Sequence, residues 1–260
     1  MTDIIFYSLE QQDEFIYNIF DHKKGGYFLD IASGHPVAGN NTYSLEKYNQ
    51  WTGLSFDVYD SVHLYGWDDT RTSRFVHMDV CTDQFTEFLR RNVPKDLIVD
   101  YVSLDVNGPH PDMVTDALRR VIDAGVKFKA VTFEHEVHVG YEGNRTESRK
   151  LLEAQGLIRL FEDVKLWGVQ FTNPTIQSFE DWWIDPQYFD PKLLEAARSN
   201  MYYPDVIEVL KENRNNPYTA THANCRAFRS EYTTFWHDGE RAEITNWFNQ
   251  IAPYSDRNHK

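Results

Sequence analysis

The segment from Gly26 to Asp57, GYFLDIASGHPVAGNNTYSLEKYNQWTGLSFD, decides how this chain is read. An apolar run, Tyr27-Phe28-Leu29 with Ile31 beyond it, ends in Asp30 and a small-residue turn, Ala32-Ser33-Gly34. A helical pattern follows, then a second apolar run, Leu54-Ser55-Phe56, that ends in Asp57. Strand, tight turn, helix, strand and terminal acid is how an α/β sheet builds a nucleoside pocket at the carboxyl edge of its strands. The small residues let the backbone approach a ligand, and an acid about 20 residues on is placed to hold a ribose diol.

The pattern alone leaves the cofactor open. A dinucleotide site uses three glycines in G-x-G-x-x-G so that a pyrophosphate can rest on a helix N-terminus. Here Ala32-Ser33-Gly34-His35-Pro36 offers a single glycine, and a histidine and a proline crowd the phosphate position. A cofactor without a pyrophosphate, such as S-adenosylmethionine, tolerates this turn. The plain alternative is a strand-turn-helix that binds nothing.

Composition narrows the setting. With 260 residues, 41% hydrophobic and 15% aromatic, the chain can bury a large core. A formal net charge of -14 and the lack of a basic run argue against nucleic acid or an anionic membrane as partner. No apolar stretch approaches the ~20 residues of a membrane span. Met1-Thr2-Asp3 lacks the basic start of a signal peptide, and Cys81 and Cys225 sit in unrelated contexts. A soluble, cytoplasmic protein is expected, compatible with a homo-oligomer.

The expected fold is α/β, a Rossmann-like, seven-stranded, mostly parallel sheet with a C-terminal helical extension. A leading helix is read at 11–20, and strands at 26–32, 52–57, 74–80, 97–106 and 128–136. Helices are read at 84–91, 112–124 and 145–154, the last two closed by Gly125 and Gly156. Apolar runs at 157–164 and 166–171 complete the sheet as a late antiparallel pair. From Ser178 the texture turns aromatic and acidic, so the division is a cofactor-binding domain at 1–177 and an extension at 178–260. Helical patterns at 191–199 and 204–213 belong to that extension.

Polar residues at the carboxyl ends of the strands carry the candidate chemistry. Asp79 follows the third strand, placed either to accept from an adenine amine or to cap the next helix. Asp105 ends the fourth strand, with His110 on the loop beyond, and Phe133-Glu134-His135-Glu136-Val137-His138 ends the fifth. Asp105, Glu134 and His135 together would suit Mg²⁺ or Mn²⁺. Without a metal, His135 or His110 is the candidate general base. Loop-orienting roles are the plain alternative for all of them.

In order and spacing these pieces resemble the FkbM family of S-adenosylmethionine-dependent methyltransferases over residues 12–185. The resemblance rests on FLDIASGHP with NNTYSLEK, on WTGLSFD, DYVSLDVNG and FEHE, and on SRKLLEAQGL and FEDWW. It implies a class I methyltransferase fold and methyl transfer to oxygen, often on a sugar or glycan. It assigns Asp30, Ala32, Ser33 and Gly34, with Asn41 and Thr42, to the cofactor, Asp57 to its ribose and Asp79 to its adenine. Ala32-Ser33 replaces the family's more glycine-rich turn, and Asn107 stands where many relatives have an acid. A small-molecule or glycan acceptor is therefore expected. A degenerate cofactor-binding scaffold and an NAD(P)-dependent oxidoreductase are the readings from other classes.

Overall fold

The computed structural model describes residues 4–8, 11–137, 140–165 and 178–191. His138, the run at 166–171 and nearly all of the expected extension lie outside these residues. In chain order the elements are α1 (Gln12–Ile19), β1 (Tyr27–Ile31), α2 (Tyr43–Asn49), β2 (Thr52–Asp57), α3 (Ser61–Tyr65) and α4 (Trp67–Thr70). They continue with β3 (Arg74–His77), α5 (Asp83–Asn92), β4 (Ile98–Leu104), α6 (Met113–Asp123), β5 (Lys127–Glu134), α7 (Glu142–Ala154), β6 (Ile158–Lys165) and β7 (Ser178–Ile184).

The seven strands form one sheet in the order β3-β2-β1-β4-β5-β7-β6. The pairings among β1 to β5 are parallel, whereas β7 runs antiparallel to both β5 and β6. The sheet is thus mixed, not mostly parallel as expected. The partner of β6 is Ser178–Ile184, which the sequence had assigned to the extension. The core therefore runs past residue 177. Strand order reverses between β1 and β4, which opens a crevice at their carboxyl ends, where α/β folds bind ligands.

Helices cover both faces. On one, α5, α6 and α7 bury Phe85, Leu89, Val114, Leu118, Val121 and Leu152 against Leu29, Ile31, Val102, Leu104 and Phe133. On the other, Phe15, Ile16 and Ile19 of α1 and Leu45 of α2 meet Phe28, Tyr101, Trp182 and Ile184. Phe15 stacks on Trp182 at 4.7 Å between ring centroids and meets Phe161 edge-on. Such near-continuous apolar strands are what burial on both faces demands. Among the described residues no helix is long and apolar enough to cross a membrane.

Backbone approach in the first unit depends on missing side chains. A Cβ at Gly53 would lie 2.2 Å from the Phe28 carbonyl oxygen and 2.5 Å from its ring. Gly53→Ala is therefore expected to destabilise the fold by about 1–3 kcal/mol, since overpacking forces β1 and β2 apart. Urea unfolding checks this as a lower midpoint with an unchanged slope.

Candidate active site

Side chains alternate between faces along a strand, so residues two apart share a face. Pairing register then sets rows across β1, β4, β5 and β7. Phe28, Tyr101, Ala130 and Ile184 form the deepest row on the α1/α2 face. Asp30, Ser103, Thr132 and Trp182 form the next. At the carboxyl edge, Glu134 pairs with Glu180, and Asp105 follows Leu104, the partner of Phe133, so Asp105 stands beside Glu134. An apolar row gives way to a more polar row and then to carboxyls.

The carboxyls disturb one another. Burial holds Glu134 well above the ordinary glutamate range, and Asp105, hydrogen-bonded to it, pushes it further, with Glu136 and Glu180 adding to the effect. Glu136 lies two residues beyond Glu134 with left-handed backbone (φ 56°), and burial and then Asp105 push it up to about 8. Asn107 donates to Asp105 at 2.9 Å. Trp182 Nε1 donates to Glu180. Below them Tyr101 bonds Thr132 at 2.7 Å, and Asn41 donates to Ser103 at 3.0 Å.

The first turn is tied down on every side. Ala32 and Gly34 both take left-handed backbone, at φ 62° and 59°. Asp57, buried at the end of β2, accepts from Gly34 N–H and Tyr59 N–H, each at 2.8 Å. Burial raises its carboxyl, and these backbone bonds oppose the rise. Ser33 Oγ is buried without a hydrogen-bond partner. Val58 and Tyr59, next to Asp57, are exposed.

Asp30 is buried, and its carboxylate accepts from Asn40 Nδ2 at 3.0 Å and Thr42 Oγ1 at 2.9 Å. Burial pushes it up to about 6 against the pull of Arg71, Thr42 and Asn40. The Arg71 side chain has no exposed surface. It donates to Glu46 Oε2, the Pro36 carbonyl, Asn40 Oδ1 and Thr42 Oγ1, and its guanidinium lies 4.7 Å from the Trp67 ring. Asn40 Oδ1 also accepts from Tyr43 N–H at the start of α2. One arginine thus holds the loop from Pro36 to Glu46 closed under the turn.

The expected site residues fall in different places. Glu134 and His135 are consecutive, so they face opposite sides of the sheet, and Asp105, Glu134 and His135 do not converge as a metal site. His135 is wholly buried on the α7 face, where it cannot serve an acceptor as base. His110 is exposed, its carbonyl accepting from Met113 N–H near the start of α6. Asp79 is exposed and accepts from Cys81 N–H, which shapes the turn before α5. Thr42 has no exposed surface and acts on the turn from beneath. Glu180 and Arg71 were missed, and Glu136 was grouped with its neighbours without a role of its own.

His135 belongs to a second cluster. Its Nε2 lies 3.7 Å from Asp163 and 3.8 Å from Asp181, and no hydrogen bond satisfies it. This is the group of metal-ligand type found among the described residues. The facing oxygens are already engaged, however. Asp163 Oδ1 accepts from Arg145 and Arg149, and Asp181 Oδ1 from Arg149 and the Asp163 N–H. Two guanidiniums fill both the lone pairs and the charge requirement, so the set does not fit a divalent cation. Burial depresses His135 to about 4, with Asp181 and Asp163 opposing, which keeps it neutral.

No family model matches the chain, and no curated protein matches it. Solved structures with a similar arrangement include an S-adenosylmethionine-dependent methyltransferase from Clostridium acetobutylicum, at 10% identity and TM-score 0.43, covering 69% of this chain and 92% of that one. The METTL16 methyltransferase domain is 14% identical at TM-score 0.41, covering 66% of each chain. The small RNA methyltransferase HEN1 is 12% identical at TM-score 0.42, covering 71% of this chain and 26% of that one. Likenesses this distant carry no functional argument. The strand order, the reversed β7 and the helices on both faces fit a class I methyltransferase fold.

Removing one side of the buried ion network should be costly. Arg149→Met leaves Asp181 buried without its two-pronged partner, and such breaks cost about 3–5 kcal/mol. Denaturant titration is expected to show that loss, with Arg149→Met plus Asp181→Leu recovering part of it.

Proposed function

We propose that the chain is an S-adenosylmethionine-dependent O-methyltransferase whose acceptor is a sugar or glycan hydroxyl. The observation that carries this reading is the cluster of carboxyls that Asp105, Glu134, Glu136 and Glu180 form at one edge of β4, β5 and β7, beside a turn shaped for a nucleoside. The turn residues suit the cofactor. Ser33 offers an orphaned buried hydroxyl, Ala32 and Gly34 bend the backbone clear, and Asp57 keeps lone-pair capacity for a ribose hydroxyl beside its backbone bonds. Exposed Val58 and Tyr59 supply an apolar surface next to that acid.

When bound, the cofactor supplies an electrophilic methyl group on a sulfonium. The protein's own work is to align the acceptor oxygen, take up its proton and keep water out. Glu134, held well above its ordinary value by burial and by Asp105, keeps its proton and donates a hydrogen bond to Asp105. Glu136, raised to about 8, has the affinity of a general base working near neutral pH. Carboxyls suit sugar hydroxyls as hydrogen-bond partners and repel the phosphates of a nucleic acid. A dinucleotide is disfavoured because His35 and Pro36 occupy the turn where its phosphates would lie. No step is assigned to a metal.

Calorimetric titration with S-adenosylhomocysteine tests the reading. Micromolar binding is expected, and Asp57→Ala should weaken it about tenfold or more, about 1.4 kcal/mol. Asp105→Asn should leave that affinity near wild type and lower turnover on a sugar acceptor by about 10²-fold. Absence of binding, or equal behaviour of the two variants, would overturn the reading.

The carboxyls also predict a pH response. Glu136 holds a proton in the folded chain up to about 8, whereas its ordinary value is 4.5. Its contribution to stability is fully present below the ordinary value and is lost as pH rises through about 8. Turnover should move the opposite way, rising over the same range as the base ionises. Glu136→Gln is expected to flatten both curves, read by thermal melts and initial rates.

A further inference from the structure

The first turn contains a histidine that the proposed chemistry does not use. His35 follows Gly34, is half-buried, and packs against Tyr65 of α3 with ring centroids 5.1 Å apart. Its Nδ1 lies 3.1 Å from Val37 N and 2.9 Å from Ala38 N, and both backbone N–H groups donate to it. A ring nitrogen accepts only while it carries no proton, so Nε2 holds the hydrogen. Bonds to the residues two and three ahead are the pattern that an aspartate or asparagine makes when it closes a turn. Here an imidazole does so, in the place where a phosphate-binding loop would leave its N–H groups open to a ligand.

The ring completes the fastening of the turn. Pro36 has no N–H to give. Its carbonyl is held by Arg71 at 2.9 Å, and Gly34 is held through its N–H by Asp57 and through its carbonyl by Ser61 Oγ. Val37 and Ala38 N–H groups are the donors of this loop that His35 secures. Protonating Nδ1 would turn the acceptor into a donor facing two donors.

We propose that His35 is a positioning residue for the cofactor turn, one that holds the turn in its binding shape only as neutral imidazole and so makes cofactor affinity fall on acidification. The inference rests on the cofactor reading above. Among the described residues, the charged and titratable groups around the turn include Tyr65 from α3, Asp57 from β2 through Gly34, Arg71 through Pro36, and Asp30, which shares Asn40 with the Ser33 carbonyl. Arg71 opposes a positive ring and Asp57 favours one. Asp30 titrates at about 6, so a wild-type profile alone does not assign the effect, and substitution is required.

The experiment is titration with S-adenosylhomocysteine at about pH 7.5 and about pH 5.5, on either side of the usual histidine range. Wild type, His35→Asn and His35→Ala are compared. An asparagine oxygen reaches the same two N–H groups and does not titrate. Wild-type affinity should fall about tenfold or more on acidification. His35→Ala should bind weakly at both values, and His35→Asn should restore most of the affinity and lose far less in acid. An acid loss in His35→Asn equal to that of wild type would overturn the proposal, as would full affinity in His35→Ala. Nitrogen NMR of ¹⁵N-histidine-labelled free protein reads the tautomer without any cofactor. If wild type binds at neither pH, the cofactor reading fails. The tautomer then judges the turn alone, and a protonated His35 Nδ1 at about pH 7.5 sinks it.

Discussion

The site depends on the two-residue alternation of side chains along strands held in register. β1, β4, β5 and β7 pair so that every second residue lands in a common row. The sequence then only has to change residue type with depth, from Phe28 and Tyr101, through Asp30, Ser103 and Thr132, to Asp105, Glu134 and Glu180. A slip of one residue on β5 would bring His135 into the carboxyl row and turn Glu134 onto the apolar face that α5, α6 and α7 cover. Packing on both faces makes that slip prohibitive, which is why such a crowded edge can persist.

Two cationic assemblies, one buried and one half-buried, make the polar edge tolerable. Under the first turn, Arg71 reaches four separate acceptors and lies within cation–π range of Phe28, Tyr43 and Trp67. On the far side of the sheet, Arg145 and Arg149 engage Asp163 and Asp181 around neutral His135. In each case the planar guanidinium matters, since it meets several oxygens in fixed directions. In the carboxyl row, burial and the neighbouring Asp105 hold Glu134 and Glu136 above their ordinary values.

Much of the architecture was legible because apolar runs and their terminal acids are local signals. The strands at 27–31, 52–57 and 98–104 and the helices α5, α6 and α7 lie within a few residues of their expected bounds. β7 was read as extension because Phe179-Glu180-Asp181-Trp182 puts acids on both faces. Those acids are held by Arg149, the Asp163 N–H and Trp182 Nε1, partners that local pattern does not reveal. The short helices α3 and α4 carry too few turns for a period to show. Adjacency in sequence grouped Glu134 with His135, although alternation along the strand separates them. Arg71 could not be found from its neighbourhood, since each of its side-chain hydrogen-bond acceptors is 25 or more residues away.

The reversal of β7 has a consequence for reach. The chain enters this strand at the crevice edge, beside Glu134, and leaves it beside Lys129 at the opposite edge. Seven residues of strand carry it roughly 20 Å. Phe189 then seats on Phe20, near the other end of β1. A label or fused module attached at residue 191 would start on the side of the molecule away from the turn. It would need at least that length of chain to touch a ligand bound there, so position 191 is a natural anchor for reporters meant to leave the crevice undisturbed.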